Sequence, residues 1–245
     1  MSHVRNIVLT MMLAVIPAIA GAAGNDITLN PTLTRDEFTK LSRELGFGLS
    51  YFPLATAAPL GVLGFDIGLE ATAVNISDKS GYWQKAVRSG DPPSWLVVPK
   101  LHAQVGLPLN FDVGAVYSKI PDSNLSLVGG ELKWAVFEGG VLMPAIAIRG
   151  SGTKVLGSSE VSLETYGVDV SISKRVLLVT PYAGVGQVWV HSSTDSRSLA
   201  TQYSATQNMS KAFVGLKLHL TFASIVAEAD FSHIAAYSLR ANFSF

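Results

Sequence analysis

Five histidines and eighteen carboxylates are the side chains with which this 245-residue chain could move protons or hold a metal, because it contains no cysteine. Without thiols it has neither disulfide cross-links nor thiolate chemistry. His191 closes a run of alternating residues, and Asp195 and Asp230 fall where the same rim would hold them. An imidazole beside a carboxylate can activate water for hydrolysis. The same residues also serve as ordinary polar rim groups, and the chain reads as a protein that is not an enzyme. His102 and His219 lie on the inward parity of their segments without a close-spaced His or Asp partner. A metal requires three or four converging ligands, so neither a metal nor a cofactor is expected. The string GSGTKVLG lacks the spacing and the following helix of a phosphate-binding loop. Trp189 and Gln187 count as inward, where they could face a solute or pack on an inserted helix.

A larger set of charges sits inside segments that alternate strictly with period two. GFDIGLEAT sets Phe65, Ile67, Leu69 and Ala71 against Asp66, Gly68, Glu70 and Thr72, and PKLHAQVGL, FDVGAVYS and VGGELKWAV repeat the pattern. It continues through AIAIRGS, TYGVDVSISK, YAGVGQVWVH, SKAFVGLKLHL and SIVAEADFS to the terminal AYSLRANFSF, ten strands in all. The polar face carries Asp66, Glu70, Asp112, Glu131, Asp169, Glu228 and Asp230 against Lys100, Lys133, Arg149, Lys211, Lys217 and Arg240. Opposite signs on one face can pair across strands. The apolar face places Phe111, Tyr117, Trp134, Tyr182, Tyr237 and Phe245 near strand ends. Charged residues are only 15% of the chain, against about 25% in an average domain. Lys plus Arg equals Asp plus Glu at 18 each, so the chain carries no electrostatic footprint for nucleic acid.

The elements that must position these charges begin at the N-terminus. Residues 1–22 have a short basic start at Arg5, an apolar run from Ile7 to Ile19 and small residues at Ala20 to Ala23, the layout of a signal peptide cut after Ala20 or Ala22. Residues 23–60 hold one amphipathic helix. Thr34 caps it, Glu37 completes a capping box, Phe38, Leu41 and Leu45 form its apolar stripe, and Gly46 stops it. GFGLSYF then alternates like a short strand, and PLATAAPLG reads as a connector. Residues 61–245 are the sheet.

Alternation alone suits a soluble sandwich as well as a closed membrane barrel. Connection lengths favour the barrel. LPLN, FEGG, KRVLLVT and HLTFAS fall on one rim and are short, whereas the stretches 75–94 and 193–207 on the other rim are long. With its leader, its alternating strands and its closing aromatic strand, the chain resembles Gram-negative outer-membrane β-barrel proteins. The resemblance implies an antiparallel transmembrane barrel with short periplasmic turns, set among outer-membrane lipids and lipopolysaccharide. It also implies that Tyr237, Phe243 and Phe245 form the C-terminal signal read by the barrel-assembly machinery. No functional motif of a characterised subfamily is present.

An even strand count is the rule for single-chain bacterial barrels. Ten strands leave GFGLSYF and the helix outside the wall, in the lumen or across the periplasmic mouth. Twelve would recruit GFGLSYF and a hidden strand in SGYWQKAVR, and ten is the preferred count. A barrel of this size has an interior filled by side chains or one inserted element. The leading reading is therefore a structural or interaction scaffold with outward-facing loops. Behind it stand a small channel, or a conduit for a small solute or hydrophobic ligand gated by the N-terminal segment, and then a rim hydrolase.

Overall fold

The computed structural model describes residues 27–87, 91–120, 125–194, 201–221 and 223–244. The expected leader, Asp195 and Phe245 lie outside the described residues. Ten antiparallel strands close on themselves: β1 (Phe65–Asn75), β2 (Trp95–Leu107), β3 (Phe111–Lys119), β4 (Ser126–Phe137), β5 (Ala145–Leu156), β6 (Val161–Ser173), β7 (Val179–Thr194), β8 (Ser204–His219), β9 (Ala223–Phe231) and β10 (Ala235–Ser244). Each strand pairs with its sequence neighbours, and β10 pairs with β1 from Asp66↔Ser244 to Val74↔Ala236. Closure leaves no edge along the length of this seam, which an open sheet of the same strands would expose.

The count of ten holds. Among its described residues SGYWQKAVR contributes no strand: Gly81–Gln84 is a one-turn helix (α2) in the long β1–β2 connection. Nor is GFGLSYF part of the wall. Its first residues finish helix α1 (Arg35–Gly48), and the rest continues as an unpaired chain through the inside of the barrel.

Helix α1 starts where its capping residues dictate. The Glu37 N–H donates to Thr34 Oγ1 at 3.3 Å, and the Thr34 N–H donates to the Glu37 carboxylate at 2.8 Å. Its C-terminus lies beyond the expected stop at Gly46, with Leu49 as the C-cap. The reason is packing. A Cβ built on Gly46 would stand 2.4 Å from Val190 Cγ1 on β7, so glycine serves helix-to-wall approach here rather than termination. Phe38, Leu41 and Leu45 are buried with Leu127, Leu163 and Val190 in one apolar cluster in the long-loop half of the lumen. Burial of each such side chain contributes about 1.5–3 kcal/mol.

Upstream of α1 the chain stays at the same rim. Ile27 bridges Val87, and the amides of Thr28 and Asn30 donate to Ala86 and Lys85 of the β1–β2 connection at 3.0 and 2.9 Å. Downstream it descends to the opposite rim, where the Leu63 N–H donates to the Gly106 carbonyl before β1 begins. Every residue from Glu44 to Ala55 is buried.

Replacing Gly46 with Val is expected to weaken docking of α1 by about 1–3 kcal/mol, the usual cost of overpacking. Amide exchange in residues 35–48 should accelerate, while the parent and the variant should both show the faster migration on an unheated denaturing gel that is expected of a closed barrel. Unchanged exchange would contradict the close approach.

Candidate functional site: the threaded lumen

A strand inside a sheet satisfies its backbone with its neighbours. The segment from Leu49 to Leu60 has no such neighbours and is enclosed by the barrel, so its amides and carbonyls need partners from side chains. The polar face of the wall supplies them. Thr153 Oγ1 donates to the Leu49 carbonyl at 2.8 Å, and Lys211 Nζ to the Tyr51 carbonyl at 3.2 Å. The Leu54 N–H donates to both oxygens of Glu228 at 3.0 and 3.2 Å, and the Leu54 carbonyl accepts from Arg240 Nη2. Lower down, the Ala57 N–H donates to Ser173 Oγ at 3.0 Å, and Lys133 Nζ reaches the carbonyls of Thr56 and Ala58 at 3.0 and 2.9 Å. The Leu60 N–H donates to Asp112 Oδ1 at 3.1 Å.

All twelve charged residues assigned to the inner face from sequence are buried there: Asp66, Glu70, Lys100, Asp112, Glu131, Lys133, Arg149, Asp169, Lys217, Glu228, Asp230 and Arg240, with Lys211 beside them. Part of the set pairs across strands as alternation suggests. Lys100 lies 2.6 Å from Glu70, Lys133 2.8 Å from Asp112, and Arg149 2.9 Å from Glu131. His102 lies between Asp66 and Glu131 at 3.9 and 3.8 Å. Asp66 gathers Asn242 Nδ2 at 2.7 Å, Ser244 Oγ at 2.9 Å and Lys217 Nζ at 3.4 Å, which ties the closing strand β10 to β1. The Lys100 ammonium also stands 4.8 Å above the ring of Phe52 in the threaded segment.

Several sequence assignments change. Trp189 and Gln187 point outward, not into the lumen, because β7 turns Val188 and Val190 inward against α1. Tyr182 points inward, buried against Phe213 at a ring separation of 6.4 Å, and leaves the outer aromatic set. Phe111 and Trp134 stack at 5.8 Å, and Tyr117, Trp134 and Tyr237 are exposed on the outer face. His191 is on the outer face beside Tyr166, whereas Asp230 is buried on the inner face, so the wall separates them and no His191–Asp230 pair forms. His219 accompanies Thr180 at 2.9 Å near the short-turn rim. Among the described residues, no group of three or more His, Asp or Glu side chains converges as a metal site.

One functional residue escaped sequence reasoning. Glu44 on α1 accepts from the Ser77 N–H and Oγ at 3.0 and 2.7 Å, the Tyr82 hydroxyl at 2.8 Å and Trp83 Nε1 at 2.6 Å. It clamps the plug helix to the long outer connection. Its partners lie more than thirty residues downstream in a stretch of irregular pattern, so the sequence carried no signal of it. Burial pushes the carboxyl up, but the donated hydrogen bonds from Ser77, Trp83 and Tyr82 outweigh it and hold the group below its ordinary value.

No known protein family and no curated protein matches the sequence. Among solved structures the chain is similar to the N-terminal β-barrel domain of Pseudomonas aeruginosa OprF, with 11% identity and a TM-score of 0.41 over 76% of this chain and 99% of that one. It is similar to the translocator domain of the autotransporter NalP from Neisseria meningitidis, with 9% identity and a TM-score of 0.37 over 87% and 99%. Neisserial surface protein A matches with 9% identity and a TM-score of 0.33 over 74% and 95%. At these identities the likeness is one of overall architecture alone.

Glu228→Ala leaves the Leu54 amide without its acceptor and should destabilise the folded barrel by about 1–3 kcal/mol, the cost of a buried donor left unpaired. Adding Arg240→Met should cost less than the sum of the single changes, because the two side chains hold the N–H and the carbonyl of the same residue, Leu54. Urea unfolding in detergent measures both, and additive losses would refute the coupling. For Glu44, a lowered folded-state value means that the clamp is at full strength above about pH 4.5, the ordinary glutamate value, and weakens as pH falls through the lower folded value. Trp83 fluorescence should report this acid transition, and Glu44→Gln should remove its pH dependence.

Proposed function

We propose that the protein is a closed barrel of the Gram-negative outer membrane that acts as a structural or interaction scaffold, holding its long-loop rim and its own N-terminal segment outward. The observation that carries this reading is the threaded lumen: the chain's own backbone runs from one rim to the other and is held by the wall along the way. A solute or hydrophobic ligand would pass only after those bonds broke together, which disfavours a conduit.

The outer surface supports the membrane placement. Ile67, Leu69, Leu101, Val113, Leu132, Ile148, Val170, Val214 and Leu239 are exposed around the wall, the reverse of a soluble barrel. Tyr117, Tyr237, Trp95 and Trp189 border them toward the long-loop rim, where amphipathic rings favour the headgroup level. The short turns extend the apolar surface further. Leu63, Leu109 and Leu177 stand at turn positions with φ of 64°, 62° and 56°, a left-handed conformation that suits glycine or asparagine. Each costs about 1–3 kcal/mol there, yet their side chains are 81%, 81% and 88% exposed. In water such a leucine gains nothing, whereas at the edge of a hydrocarbon layer it buries its side chain. Val141, Leu142 and Leu178 add to the same rim.

Outer-membrane lipids and lipopolysaccharide are thus the standing partners. Tyr237 and Phe243 on the outer face of β10 suit the role of an assembly signal. No enzymatic step is assigned.

Two measurements test the reading. The purified barrel should be silent in planar bilayers, and a steady conductance from the intact chain would overturn the scaffold assignment. An epitope inserted before Thr34 and one inserted near Lys79 should both be reached by antibody on intact cells, because the two segments share a rim. Protection of the first with exposure of the second would contradict the direction of threading.

A further inference from the structure

The wall is uneven in height. β7 and β8 run for sixteen residues each, but β9 and β10 for nine and ten. The β8–β9 ladder ends at Ala212↔Phe231, so β8 continues from Lys211 to Ser204 without a strand on that side. The tight turn Ser232–Ile234 covers only its base, through a hydrogen bond from Ser232 Oγ to the Ser210 carbonyl at 2.8 Å. The notch opens into a groove of about 920 Å³ that continues onto the outer face of β6 to β8.

The lining of the groove changes character along its length. Its membrane-side floor is Val168, Val170 and Val185, all exposed on the outer face. Above them, where the rest of the wall is apolar or aromatic, Gln187, Asn208 and Ser210 point outward and bond to one another: the Gln187 amide donates to Asn208, and Ser210 donates to Gln187 Oε1 at 3.0 Å. Trp189 and Phe231 flank this polar lip. Inside the notch lie two groups with unused capacity. Arg43 projects from α1, is exposed, and has no ion-pair or hydrogen-bond partner among the described residues. The half-buried His233 has neither ring nitrogen hydrogen-bonded, and packs edge-on to Phe47 at 5.9 Å. Burial lowers its pKa to about 4, so at neutral pH it presents one N–H donor and one acceptor rather than a second cation.

An apolar floor below, amide and hydroxyl groups at interface height and an exposed guanidinium above match a molecule with an acyl chain and an anionic head. We propose that this notch binds a phosphate-bearing lipid of the outer leaflet, its acyl chain along Val168, Val170 and Val185 and its phosphate at Arg43, with the amides of the lip in reach. The occupant follows from position as well as charge. The floor is continuous with the lipid-facing belt, and an outward opening at that height meets the membrane before it meets solvent. The inference rests on the membrane placement proposed above. That placement is read separately, by whether the folded barrel stays in solution only with detergent.

Native mass spectrometry of the full-length protein released from micelles tests the site, with phosphatidylglycerol, diacylglycerol or oleate added at equal concentration. Phosphatidylglycerol should be retained about tenfold more than diacylglycerol, which has the same chains without the phosphate, the value of one charge-assisted contact. Arg43→Gln should erase that preference and Arg43→Lys should keep most of it, with the faster migration of the unheated barrel unchanged in both. Val185→Trp, which fills the floor from the outer face, should reduce retention of both two-chain lipids. Equal retention of the two by the parent protein, or an unchanged preference in Arg43→Gln, would overturn the site. Retention of oleate without phosphatidylglycerol would overturn its assignment to a phosphate-bearing lipid.

Discussion

A peptide drawn through the inside of a barrel brings carbonyls and amides into a space with no sheet to pair them and little water to solvate them. Each such group left unpaired costs about 1–3 kcal/mol, so a threaded chain is stable only if the wall answers it group by group. Here the answer comes from Thr153, Lys211, Glu228, Arg240, Ser173, Lys133 and Asp112, spread over strands that are far apart in sequence. Much of the remaining structure follows from this requirement. The wall needs buried polar side chains to bind the segment, several of these pair with one another across strands, and Asp66 ties β10 to β1.

The plug also explains why the polarity rule of a barrel fails in its long-loop half. A lumen filled by solvent or by extended backbone is polar, but a lumen filled by the apolar stripe of a helix is not. Where α1 packs, β6, β7 and β8 turn Leu163, Val188, Val190 and Met209 inward and expel Gln187, His191 and Asn208 to the outside. The same strands are polar inside and apolar outside nearer the short turns, at Asp169, Lys211 and Lys217 against Val170 and Leu216. The expelled polar groups form the lip of the lateral groove, so the groove and the plug are two consequences of one packing decision.

Much of the fold is legible in the amino-acid sequence. The ten strands, their order, the inward set of charges and the capped helix all follow from period two, from Thr34 and Glu37, and from where turns interrupt the pattern. Parity misleads where it is uniform: polar residues inside on every strand would put Gln187 and Trp189 in the lumen and Tyr182 on the belt, whereas β7 turns Tyr182, Val188 and Val190 inward. Gly46 misleads for a related reason. A glycine after an apolar stripe reads as a stop, and only the presence of Val190 against it reveals a close contact instead.

The sequence by itself determined ten strands, most with one charged and one apolar face, because alternation is a local property that each strand carries independently. It could not determine what the charged face was for. Pairing between strands and binding of a threaded backbone ask for the same residue types at the same spacing, and they differ only in what occupies the lumen. That was decided by tertiary structure, since the segment from Leu49 to Leu60 meets partners up to 186 residues away and its own sequence, rich in Pro and Ala, names none of them.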